Sequence, residues 1–172
     1  MTTAVENAFE APKAELSDSG ESSILNLKRF SAWGVLGLGI ITFGLYFVYW
    51  FYSRMPIINE YAKENKANTT YLHAYLISYA ISLLISIGAG FIEPSSTVDI
   101  VSGLISIANL VLYILLAFSI RKALSEIINE DAGDNQTKLG GVLTFFFSAI
   151  YFQYKINEKI DSVSVESEKS AS

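Results

Sequence analysis

The 172-residue sequence contains no cysteine and a single histidine, His73. The first absence excludes disulfides, thiolate metal sites and cysteine nucleophiles, and the second excludes any cluster of imidazole ligands. No G-x-S-x-G elbow occurs, and no glycine-rich loop ending in Lys-Ser or Lys-Thr cradles a phosphate. Asp131 and Asp134 flank Gly133, but the spacing of a calcium loop and its closing glutamate are missing. Basic residues are few, 12 against 17 acids, and they lie beside apolar runs rather than in a patch, so nucleic acid is excluded as a partner. The first residues show no basic n-region followed by an apolar stretch, which argues against a cleaved secretory signal. Glu60, Glu64, Glu126, Glu130, Asp131 and Glu158 fall on predicted solvated helix faces, several with a base at helical spacing, as Glu60 with Lys63. These absences predict a chain that is not an enzyme and holds no cofactor and no metal.

Long apolar stretches are present instead. Residues 72–92 and 100–120 form two apolar runs of 21 residues without an ionised side chain. A helix of that length is about 32 Å long, enough for a hydrocarbon core of about 30 Å. Lipid offers backbone groups no partner, so isolated runs of this kind must be helical. The turn between them, residues 93–99, carries Glu93 and Asp99 and no base. Two further apolar segments flank this pair. Residues 32–52 are glycine-rich at first (Gly34, Gly37, Gly39, Gly44) and aromatic-rich from Phe43 to Tyr52. Residues 139–154 are short, about 24 Å as a helix, and open on Gly140-Gly141. Ala149-Ile-Tyr-Phe-Gln-Tyr154 echoes Gly44-Leu-Tyr-Phe-Val-Tyr49, so the outer segments read as weak repeats.

Amphipathic stripes follow the aromatic segments. Phe51, Met55, Ile58 and Ala62 share one helix face, as do Phe152, Ile156, Ile160 and Val163. Ile-Asn-Glu occurs at residues 58–60, 128–130 and 156–158, and reads as a turn with isoleucine inward and Asn and Glu outward. Residues 1–27 hold five acids against Lys13, and residues 162–172 hold two against Lys169. Both read as disordered tails around a membrane domain at 28–161.

Arg29-Phe-Ser-Ala-Trp33, Gly44-Leu-Tyr46, Tyr49-Trp50-Phe51-Tyr52 and Ile58-Asn59-Glu60 together resemble the prokaryotic membrane family called domain of unknown function 4234. The resemblance implies a small multi-helix membrane protein. That family has no assigned activity, so the resemblance transfers no catalytic residue.

Charge placement discriminates between two topologies. If all four apolar segments cross, the Lys and Arg residues divide six against six, against the positive-inside rule. If only the central pair crosses, all twelve fall on one side and the acidic 93–99 turn stands alone on the other. The predicted fold is therefore an all-α integral membrane protein. A central two-helix transmembrane hairpin is flanked by two shorter or re-entrant aromatic-rich helical segments with amphipathic extensions. Both termini are expected in the cytoplasm and the 93–99 loop outside the cell membrane.

Three residue sets follow. Ser78, Ser82, Ser86, Ser102, Ser106 and Asn109 are candidates for helix packing or a pathway, because small and hydroxylated residues let membrane helices approach and bond. Tyr46, Tyr49, Trp50, Tyr151 and Tyr154 are the expected interfacial aromatics. Lys28, Arg29, Arg54, Arg121, Lys122 and Lys155 are the expected headgroup contacts, favouring anionic lipids. The expected role is a non-catalytic scaffold or membrane-conditioning protein. Its partners are the lipid bilayer and either a second copy or another membrane protein. The alternative is a small transporter or channel subunit acting as a homo-oligomer.

Overall fold

The computed structural model describes residues 22–89, 91, 96–130, 132–133 and 136–170, apart from the side chains of 166–168 and 170. Among the described residues there are five α-helices, one 3₁₀ turn and no strand. The helices are α1 (Ala32–Ile41), α2 (Leu45–Tyr61), α3 (Thr69–Ala89), α4 (Ser96–Ile128) and α5 (Gly141–Ser170), and the turn is Ser23–Asn26. α3 and α4 are long and apolar enough to cross a membrane.

The first apolar segment is not one helix. Ser31 caps α1 by accepting from the Gly34 N–H at 3.3 Å. Ten residues later the chain reverses. Phe43 and Gly44 take left-handed conformations (φ 51° and 90°), the Gly44 N–H bonds the Gly39 carbonyl at 2.7 Å, and the Phe43 N–H bonds Ile40 at 3.1 Å. This double closure ends a helix decisively. Thr42 then starts the next one: its hydroxyl bonds Leu38 O at 2.7 Å and accepts the Tyr46 N–H at 2.9 Å. α2 folds back so closely that a Cβ on Gly39 would strike the Phe47 ring, and Phe30 meets Tyr46 with ring centroids 6.2 Å apart. The two helices form a V whose tip exposes Ile40, Ile41, Phe43 and Leu45.

The last apolar segment bends too. α5 is helical throughout Gly141–Ser170, yet the Gly140 N–H donates to Tyr151 Oη at 2.9 Å. Eleven residues of straight helix would separate those two residues by about 16 Å, and a tyrosine side chain spans less than half of that. The axis therefore turns sharply before Tyr151. The sequence echo places Tyr151 opposite Tyr46, and each ring folds back on the arm that precedes its own tip.

The core lies at one end of the molecule. Trp50, Phe51, Met55 and Ile58 of α2 pack with Leu72 and Tyr75 at the start of α3. They also meet Leu116, Ile120, Leu124 and Ile127 at the end of α4 and Phe152 and Ile156 of α5. Beyond that layer α3 and α4 continue as a bare pair. Ile77, Leu84, Ile87, Ile100, Leu104 and Ile107 are each more than half exposed. The V tip stops well short of the far end: Gly44 lies beside Tyr79 Oη, ten residues into α3.

At the start of the described chain, the 23–26 turn packs on α4 and α5, and Ile24 and Leu27 are fully buried. The C-terminal stretch 162–170 continues α5, since no Gly or Pro interrupts the chain between Gly141 and Ser170. Residues 1–21 of the acidic leader, Glu93–Ser95 of the central turn, and residues 171–172 lie outside the described residues. Val98 and Asp99 belong to the first turn of α4.

Candidate functional site

The layer where the V, the start of α3, the end of α4 and α5 meet concentrates the polar interactions, and two glutamates of α4 organise it. The Glu126 carboxylate accepts three consecutive backbone N–H groups, from Lys63 (2.7 Å), Glu64 (2.9 Å) and Asn65 (2.7 Å). The Asn65 side chain adds a bond at 3.1 Å. Desolvation alone would raise the Glu126 carboxyl, but these bonds from Glu64, Asn65 and Lys63 outweigh it and hold the group down to about 2. One turn on, Glu130 accepts from Lys63 Nζ at 2.8 Å, and Ser23 lies close enough to act on the same carboxylate. Lys63 and then Ser23 hold its carboxyl below the usual range. Ser23 precedes the V and Lys63 follows it, so both chain ends of the α1–α2 unit meet at one carboxylate.

The Ile-Asn-Glu copies turn out to be clasps. Asn59 bonds both backbone groups of Ala67, accepting its N–H at 2.7 Å and donating to its carbonyl at 2.9 Å. Asn129 does the same to Thr137, at 2.7 and 3.1 Å. Each closes the loop after its helix through one side-chain amide. In the third copy, Asn157 donates to Phe30 O at 2.7 Å and accepts from Gln153 at 3.0 Å. The isoleucines Ile58, Ile128 and Ile156 do point inward as expected. The asparagines are half-buried rather than turned fully outward, because loop backbone beside a helix end must find partners.

Gln153 is fully buried and extends this network. Its Oε1 accepts from Trp50 Nε1 at 3.0 Å, and its Nε2 donates to Lys28 O at 3.3 Å. α2, α5 and the chain entering α1 are thereby tied to one side chain.

The predicted residues distribute as follows. Tyr49 and Tyr154 are more than half exposed, and Tyr46 is half-buried. Trp50 and Tyr151 are buried, because each spends its polar atom inside the protein, on Gln153 and Gly140 respectively. Arg29 pairs with Asp161 at 3.0 Å, and Lys155 with Glu158 at 2.5 Å. Arg121 Nε donates to Leu139 O at 2.8 Å and its guanidinium lies over Phe118. Arg54 is partly buried, and Lys28 and Lys122 are exposed. On the hairpin, Ser78, Ser82, Ser102 and Asn109 are partly buried, and Ser86 and Ser106 are exposed. Ser106 bonds the Ser102 carbonyl of its own helix at 2.9 Å. Asn109 Oδ1 is buried without a partner. Glu126 and Glu130 have the spacing of solvated glutamates and no local pattern marks Gln153; the recurrence of Ile-Asn-Glu is the sequence signal in their neighbourhood.

Taken together, these elements define a small all-helical protein with two helices long and apolar enough to span a membrane. The family profile described as Domain of unknown function (DUF4234) matches residues 30–162, and the chain belongs to that family. No curated protein and no solved structure matches the chain.

Proposed function

We propose that this chain is a non-catalytic integral membrane protein that crosses the cell membrane twice, through α3 and α4, and shapes or organises the leaflet on its polar-layer side. The α1–α2 V and the bent start of α5 act as wedges that enter that leaflet and return. One observation carries the reading: the 23–26 turn before the V and Lys63 after it both pack on the same end of α4, Lys63 on the Glu126 and Glu130 carboxylates. A first segment that crossed would hold those residues about 30 Å apart. The exposed apolar tip and the bare outer half of the α3–α4 pair suit a hydrocarbon neighbour, and the charge asymmetry of the two-span arrangement supports cytoplasmic termini. A wedge confined to one leaflet expands that leaflet against the other, so its direct consequence is curvature.

Reconstitution at rising protein-to-lipid ratio tests this. Vesicles narrow progressively with the full chain, and Gly39→Leu, which forces the V open against Phe47, abolishes the narrowing while the protein remains inserted. Unchanged vesicle size with the native chain overturns the proposal.

The unpartnered Asn109 oxygen in mid-helix favours a second reading, a transport subunit assembled from several copies, with Asn109 facing a pathway or a neighbour. Solute or ion flux in proteoliposomes that is lost on Asn109→Leu would select it.

A further inference from the structure

A groove of about 630 Å³ lies between the 64–68 loop, Tyr71 at the start of α3 and the 114–122 face of α4. Lys66 and Lys122 stand at its mouth, and Tyr71, Leu115 and Phe118 line the part below. Both lysines are exposed, and among the described residues neither forms an ion pair, unlike Arg29, Lys63 and Lys155. The mouth is held in place from two sides. The Asn68 N–H donates to Ser119 Oγ at 2.7 Å, which fixes the loop carrying Lys66 against α4. Arg121 lies over the Phe118 ring at 5.7 Å, which holds that ring on the wall. Glu64 also lines the mouth, and Glu126, one turn beyond Lys122, is engaged by the 63–65 backbone, so the two lysines supply the positive charge of the lining and Glu64 its negative charge.

A cationic mouth above an apolar trough matches one ligand shape. We propose that this groove binds a monoanionic phospholipid of the same leaflet, with its phosphodiester between Lys66 and Lys122 and one acyl chain along Tyr71, Leu115 and Phe118. The placement rests on the two-span reading, which puts Lys122 at the membrane boundary. A soluble phosphate would satisfy the lysines alone and leave Leu115, already 41% exposed, uncovered. The two exposed ammonium groups suit a diester phosphate, and the cationic end of a zwitterionic headgroup would gain nothing from them.

Native mass spectrometry of the full chain in mild detergent reads the site directly, with phosphatidylglycerol, phosphatidylcholine and inorganic phosphate as probes. Phosphatidylglycerol is retained preferentially over phosphatidylcholine, and inorganic phosphate does not displace it. Lys66→Gln with Lys122→Gln lowers its retention about thirtyfold, at about 1 kcal/mol for each lysine. Lys66→Arg with Lys122→Arg restores it, and Lys138→Gln with Lys159→Gln leaves it unchanged. Equal retention by the double glutamine variant, equal retention of phosphatidylcholine, or displacement by inorganic phosphate overturns the proposal. Cysteine-labelling topology is measured independently, so loss of this site and loss of the two-span reading are separately visible.

Discussion

Replacing Glu126 by glutamine removes the charge that gathers three backbone N–H groups and puts an amide donor where one acceptor oxygen stood. The magnitude follows from proton affinity. A carboxyl moved from 4.5 to about 2 is worth at most about 3.4 kcal/mol, at about 1.4 kcal/mol for each tenfold change in affinity. Glu126 is partly exposed, and solvent screening reduces this to about 2 kcal/mol. For a chain of this size that corresponds to a melting-temperature loss of about 4–8 °C. The pH dependence has a definite sign. The carboxyl binds its proton more weakly in the folded state, so the stabilisation is complete above about 4.5 and is lost as pH falls through about 2. Thermal melts in detergent, read by tryptophan fluorescence, should separate Glu126→Gln from the native protein at neutral pH and converge toward pH 2. Glu64→Gln, at an exposed neighbour whose backbone alone joins the clamp, should shift the melt by less than about 0.5 kcal/mol. An unchanged melt for Glu126→Gln at neutral pH, or a deficit equally large at pH 2, would refute the clamp.

Three other outcomes are expected. Gln153→Leu strands the buried Trp50 N–H and should cost about 1–3 kcal/mol; a red-shifted Trp50 emission in a Trp33→Phe background reports the lost packing, and an unaltered melt counts against it. Asn59→Ala and Asn129→Ala should each release one loop, seen as faster proteolysis confined to residues 62–68 or 132–140 respectively, and cleavage spread evenly over the chain would contradict separate clasps. Gly39→Ala should destabilise far more than Gly37→Ala, which meets open space; equal melts for the two would remove the close approach of α1 and α2.

Much of the fold was legible because lipid-compatible helices announce themselves by length. The runs at 72–92 and 100–120 correspond to α3 and α4, displaced by three or four residues at three of their four ends and extended on α4 past Arg121-Lys122 to Ile128. The break after Ile41 was foreshadowed by four glycines and a crowd of aromatics, but its position depends on Phe43 adopting a conformation that phenylalanine seldom takes. The polar layer was the least legible part. Glu126 has the spacing of an ordinary solvated glutamate, and only the loop at 63–65, brought to it across the fold, turns it into a clamp. The same holds for Trp50, whose interfacial character in sequence gives way to Gln153, a partner 103 positions away. Local pattern identifies what a side chain is able to do, and long-range packing decides which of its options is used.

The central claim is that the chain crosses the bilayer twice and that everything except the 93–99 connection stays on one side. Single cysteines at Asn26, Glu60, Thr97, Gln136 and Ser162, introduced one at a time into a chain with no native cysteine, can be reacted in intact cells with a membrane-impermeant maleimide. Only Thr97→Cys should label before lysis, and the other four only after it. Labelling of Asn26→Cys and Ser162→Cys alongside Thr97→Cys in intact cells would mean four crossings, and would contradict the account.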